Sequence, residues 1–224
     1  MCRLAVPRTL TIHASNRHAK ASRKHTPASR VHTALRCRHR GHLNDLANLR
    51  ITVFKEFPYL YEGDLEYEQH YLSTYVKSKR SLAVLATHRA RVIGATTCIP
   101  LGDEVEDIRK PYVERGRDID NTFYFGESVV LKEFRGNKIG RTFFELREVH
   151  ARKSCPRLLW TTFCAVIRPD NHPLKPSNYR PLDSFWRRMG YQKDPEMVIS
   201  FPWKDIDKET PDYKDLRVWV RSWS

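Results

Sequence analysis

Phe125-Gly-Glu-Ser-Val-Val-Leu-Lys-Glu-Phe-Arg-Gly-Asn-Lys-Ile-Gly140 is the stretch on which the reading of this chain turns. It predicts a strand, then a tight turn carrying basic residues and glycines, then a helix. Ile139, Phe143, Leu146 and Val149 recur close to one helical face, with Arg141, Glu145, Arg147, Glu148 and Arg152 around the rest. Such a turn points several backbone N–H groups and a helix N-terminus at one spot, where a pyrophosphate can be held. The pattern is neither a P-loop nor a dinucleotide fingerprint, since it has no G-x-x-x-x-G-K-[ST] and no G-x-G-x-x-G.

Outward from this stretch, further elements follow in order. Val31–Cys37 is expected as a first strand, residues 43–54 as a helix, 57–64 as a turn and 65–76 as a second helix. Leu82–Ala86 and Val92–Ile99 are expected as a hairpin around 87–91, and 103–115 is charged with weak helical spacing. Residues 121–131 are the strand before the turn, Lys138–Lys153 the helix after it, and Leu158–Val166 the next strand. A proline-rich loop over 168–181 precedes a short helix built on Leu182, Phe185, Trp186 and Met189 and closed by Gly190, and residues 197–203 and 216–223 are expected as the last strands.

The stretch around the turn resembles motif A of the GNAT (GCN5-related N-acetyltransferase) superfamily. Arg135, Ile139 and Gly140 fit its usual R-G-x-G-I-G form, and Lys138 stands where the middle glycine is expected. Pro181-Leu-Asp-Ser-Phe-Trp-Arg-Arg-Met-Gly-Tyr191 resembles the family's motif B, F-Y-x-K-x-G-F, with Trp186 in place of the tyrosine. The resemblance covers residues 31–224. It implies an α/β fold with a mixed, mostly antiparallel sheet, flanked by helices and splayed between its fourth and fifth strands.

The resemblance also implies a co-substrate, acetyl-CoA, and a reaction: transfer of an acetyl group to a primary amine of a small molecule, by direct attack in a ternary complex. Backbone groups of Val129, Val130 and Leu131 would hold the pantetheine arm. N–H groups of Arg135, Gly136, Asn137, Lys138, Ile139, Gly140 and Arg141 would take the pyrophosphate. Lys138 has two readings: a strained residue at positive φ, or a first-turn residue of ordinary φ whose ammonium meets a phosphate. Glu127 is the candidate base, with Phe125 and Val129 as apolar neighbours, and pairing with an arginine is its plainer role. The general acid is unassigned, with Tyr179 and Tyr191 as hydroxyl candidates. Tyr59, Tyr61 and Asp64, in the loop between the first two helices, are candidate acceptor contacts. The alternative is a non-catalytic acyl-CoA-binding module, suggested by Lys138 and the missing tyrosine.

Charge and cysteines bound the rest. Of the 40 Lys/Arg, ten lie in residues 1–40 without any Asp or Glu, leaving 30 basic against 26 acidic residues, a surplus of only four, for the other 184. Residues 1–30 are therefore expected as a basic, disordered extension, and a transit segment to a mitochondrion or plastid fits them. Without such a role the expected compartment is cytoplasmic. Nucleic acid is not an expected partner, because the tail carries no aromatics for stacking. No run of about 18 apolar residues suggests a membrane span. The five cysteines have no C-x-x-C spacing, which argues for reduced thiols and against a structural metal. A homodimer is compatible with these features.

Overall fold

A computed structural model describes residues 30–32 and 40–223. The helices are α1 (Arg40–Phe54), α2 (Leu65–Lys77), α3 (Glu106–Glu114), α4 (Ile139–Ser154) and α5 (Asp183–Arg188). The strands are β1 (Arg30–His32), β2 (Leu82–His88), β3 (Arg91–Pro100), β4 (Thr122–Tyr124), β5 (Ser128–Val130), β6 (Trp160–Val166), β7 (Gln192–Trp203) and β8 (Asp212–Ser222). They form one sheet in the order β1-β2-β3-β4-β6-β8-β7, with β5 also paired to β3. Among the described residues, only β4 and β6 run parallel; every other strand pairing is antiparallel.

The strand expected over 121–131 is broken into β4 and β5 by a bulge. Ile99 faces Tyr124 while Thr96 faces Ser128, so this side carries one residue more than β3. Thr97 bonds to two successive residues, accepting from the Gly126 N–H at 3.2 Å and donating to the Glu127 carbonyl at 3.2 Å. Two residues opposite one re-aim the side chains that follow. Glycine fits here because a Cβ at position 126 would meet the Tyr75 hydroxyl at 2.3 Å and Thr97 Oγ1 at 2.5 Å.

Beyond the bulge the sheet parts. The Phe125 N–H donates to the Thr162 carbonyl at 2.7 Å, the last backbone bond from this strand to β6 among the described residues. From there β5 pairs with β3 alone and β6 with β8 alone. This is the expected splay, between strands fourth and fifth in the sequence reading. Helix α4 packs on β2, β3 and β5 and closes one side of the gap.

Several expectations shift in detail. The last two strands are longer than the apolar runs suggested, because a ladder continues through polar residues as long as partners face each other. On α4 the buried face is Ile139, Phe143, Phe144, Arg147 and Ala151, while Val149 is exposed. Arg147 is tolerated inside because its guanidinium lies 4.3 Å from the Phe125 ring centre and 4.5 Å from that of Phe144. Of the first expected strand, only Val31 and His32 fall among the described residues. The expectation for residues 1–30 lies outside the described residues, save Arg30.

Candidate active site

The turn between β5 and α4 leaves its amides open. Among the described residues, the N–H groups of Gly136, Asn137, Lys138, Ile139, Gly140 and Arg141 donate to no protein acceptor; the first bond of the helix runs from the Thr142 N–H to the Lys138 carbonyl at 3.1 Å. Six unspent donors beside a helix N-terminus form an anion cradle. Two of its residues sit in the left-handed region, Gly136 at φ +80° and Lys138 at φ +63°. The first-turn reading of Lys138 is thereby corrected: it is the residue that caps α4, and it carries the strain that the family's glycine avoids.

Arg135 is a second correction. Its own N–H donates to the Lys132 carbonyl at 3.2 Å. Its guanidinium forks onto Glu56 at 2.9 and 3.0 Å, and its Nε donates to the Val130 carbonyl at 2.9 Å. Arg135 therefore braces this turn against the loop that follows α1 rather than offering an amide to phosphate.

The strand edge facing the gap also differs from expectation. The Leu131 N–H donates to the Ile93 carbonyl at 2.9 Å, and the Glu127 carbonyl is taken by Thr97. Antiparallel alternation then commits the backbone of Val129 to β3 and turns that of Ser128 and Val130 toward β6. Val129 and Leu131 are buried side chains of the core. The groups left for a pantetheine arm are those of Ser128 and the N–H of Val130.

A cleft of about 2030 Å³ runs along this gap, lined by the cradle, by β5 and β6, and by the 168–181 loop. It meets a smaller space of about 120 Å³ at Phe54, Tyr59, Gly126, Glu127 and Cys164. Of the three candidate acceptor contacts, Tyr59 and Tyr61 line the smaller space, whereas Asp64 lines neither. Asp64 is instead the cap of α2, its carboxylate accepting from the Tyr67 N–H at 2.8 Å. Arg168 fixes the 57–61 loop, donating to the Pro58 and Tyr59 carbonyls at 2.8 and 2.7 Å while paired with Asp205.

Glu127 sits at the junction, 3% exposed. Its apolar neighbours do not isolate it. Arg50 on α1 donates to Glu127 Oε2 and, from Nε, to Glu68 Oε2, bridging two buried carboxylates. Burial opposes the charge on Arg50, but the two carboxylates outweigh it and hold the guanidinium protonated. Oε1 of Glu127 and Oε1 of Glu68 accept no hydrogen bond. Arg50 and Glu68 were missed in the sequence, where a charged residue on a helix reads as solvated.

Behind Gly126, Tyr71 and Tyr75 both donate to Glu104 Oε1, at 3.0 and 3.5 Å. Burial pushes the Glu104 carboxyl up to about 7. Burial also pushes the Cys164 thiol up to about 12, so it stays protonated at neutral pH. Of the two hydroxyl candidates for the acid, Tyr191 is 2% exposed, bonded to Thr161, and lines neither space. Tyr179 lines the cleft, its ring 4.7 Å from that of Phe57. Trp186 packs edge-on to Phe163 and Trp219 at the wall of the cleft.

Comparison with solved structures finds the same architecture at low identity. A GNAT-family acetyltransferase from Staphylococcus aureus Mu50 superposes with a TM-score of 0.55 at 13% identity, over 87% of this chain and 99% of that one. An acetyltransferase from Streptococcus agalactiae gives 0.54 at 16%, over 86% and 98%. An aminoglycoside 6'-N-acetyltransferase complexed with coenzyme A gives 0.54 at 13%, over 85% and 96%. No family model and no curated protein matches the sequence.

Proposed function

On the premise that this chain has the GNAT fold, we propose that it is an acetyl-CoA-dependent N-acetyltransferase acting on a primary amine of a small molecule. One observation carries the reading: six unspent amides at residues 136–141 lie beside a strand edge freed by the parting of β5 from β6. Those amides suit a pyrophosphate, and the edge at Ser128 and Val130 suits a chain bearing amides of its own. Acetyl-CoA bound there would supply a thioester carbonyl at the Glu127 end of the cleft.

The chain's own residues then account for the proton traffic. Arg50 pins one oxygen of Glu127 and leaves Oε1 free to take a proton from the incoming ammonium. The neutral nitrogen attacks, the N–C bond forms and the C–S bond breaks. The nitrogen's second surplus proton passes through water to the departing thiolate in the open cleft. The protonated state of Cys164 favours direct transfer over an acylated-cysteine route.

The test is thiol release from acetyl-CoA by the full chain against a panel of amines. Amine-dependent release is the expected result. Coenzyme A binding without amine-dependent release would select a non-catalytic acyl-CoA-binding module instead.

A further inference from the structure

The space beside Glu127 has a composition that restricts what can occupy it. Its walls include Tyr59, Tyr61, Tyr67, Tyr71 and Trp203, and its only acids are Glu68 and Glu127. Glu68 is fully buried on α2, and each carboxylate spends one oxygen on Arg50 and leaves Oε1 without a hydrogen bond, although the Tyr61 hydroxyl interacts with the Glu68 carboxylate. Two acids against one guanidinium leave the space with one net negative charge. A buried acceptor without a partner is costly, and a cationic donor satisfies it best.

The rings point the same way. Aromatic faces attract cations, and Arg50 already uses two of them, with its guanidinium carbon 5.0 Å from the Phe54 ring centre and 4.7 Å from that of Tyr71. Among the described residues lining this space, the other ring that meets a cation of the chain is Trp203, which Arg168 and Lys214 approach at 5.9 and 5.4 Å. Burial holds Tyr59, Tyr61 and Tyr71 as neutral phenols, so they contribute ring faces and hydroxyls rather than charge.

We propose that this space is a receptor for an alkylammonium group, with Glu68 as its specificity-determining residue and the tyrosines as its walls. The acceptor substrate is then an aliphatic amine that arrives as a cation, and an aromatic amine or other base uncharged at neutral pH is excluded. A volume of about 120 Å³, a little below the roughly 150 Å³ of an apolar cavity that holds benzene, fits a short alkyl end. This rests on the acetyl-transfer reading for the word substrate, but cation binding itself does not.

Calorimetry on the full chain tests it, with propylammonium, its neutral isostere 1-propanol, and tetramethylammonium as a cation that cannot be acetylated. Both cations are expected to bind at least about tenfold more tightly than propanol. Glu68→Gln should weaken propylammonium about tenfold or more, with coenzyme A affinity as the control for folding. Tyr67→Ala, at a position 45% exposed and so least able to disturb the fold, should weaken tetramethylammonium several-fold. Equal binding of propanol and propylammonium overturns the proposal, whatever the variants do. So do unchanged cation affinities in a Glu68→Gln protein that still binds coenzyme A. Cation selectivity without acetyl transfer would sink the enzymatic reading alone, and acetyl transfer without cation selectivity would sink this one alone.

Discussion

Arg50 on α1 and Glu127 in the bulge, 77 residues apart in sequence, form a buried ion pair at the junction of the two spaces. The pair joins helix α1, beside the smaller space, to the strand that borders the larger cleft. Removing the cation would leave Glu127 and Glu68 as uncompensated buried charges. Arg50→Leu should therefore cost roughly 3–5 kcal/mol of stability, read by chemical denaturation at pH 7. A loss below about 1 kcal/mol would show that the carboxylates relax to solvent instead.

Glu127→Gln keeps an acceptor for Arg50 and removes the proposed base. The value of kcat/KM for amine acetylation should fall on the order of 10²–10⁴-fold, with coenzyme A affinity unchanged. Steady-state thiol release beside a binding titration separates the two. A fall of less than about threefold would move the base elsewhere.

Lys138 holds a left-handed conformation that glycine adopts without strain. Lys138→Gly should raise stability by about 0.5–1 kcal/mol, part of the gain being offset by the freer unfolded chain. Thermal melts of both proteins check this, and a destabilised variant would mean that the Lys138 side chain makes a compensating contact.

Gly126→Ala would place a methyl group against Tyr75 and Thr97 at the turning point of the bulge. A cost of about 1–3 kcal/mol is expected from such overpacking. The displaced Glu127 should also lower kcat more than it changes coenzyme A affinity. Wild-type melting behaviour in this variant would mean that Tyr75 swings aside freely.

Glu104 gives a pH dependence of defined sign. Burial raises its carboxyl from an ordinary 4.5 to about 7, so the folded protein binds the proton more tightly than the unfolded chain. Its contribution to stability is therefore greatest below about 4.5 and is lost as pH rises through about 7. Glu104→Gln should remove that slope, and at pH 8 it should be more stable than the wild type by roughly 1–3 kcal/mol. Denaturation midpoints of the two proteins from pH 5 to pH 8 measure the difference, and parallel curves would refute the assignment.

The turn before α4 was legible because its signal is local: a strand, a basic glycine-bearing turn and an amphipathic helix lie within thirty residues of each other. The direction of individual amides was not. Whether Val129 or Val130 faces the gap depends on the register with β3, and a one-residue bulge at Gly126 sets that register. Arg135 matched the motif, yet its guanidinium found Glu56 in the distant loop after α1 and its amide closed a local turn. Asp64 was read from its charge, although a residue of its type just before a helix serves equally as a cap.

The sequence alone determined the order of most elements and the place of the amide-bearing turn, because periodicity and turn chemistry act between near neighbours; the splayed α/β sheet followed from the resemblance those motifs carry. Only the tertiary structure decided that Arg50, Glu68 and Glu127 meet, which oxygens they leave free and which rings wall the space beside them. Those facts come from packing α1 and α2 against the broken strand, and long-range packing of charged side chains leaves no periodic trace in the chain.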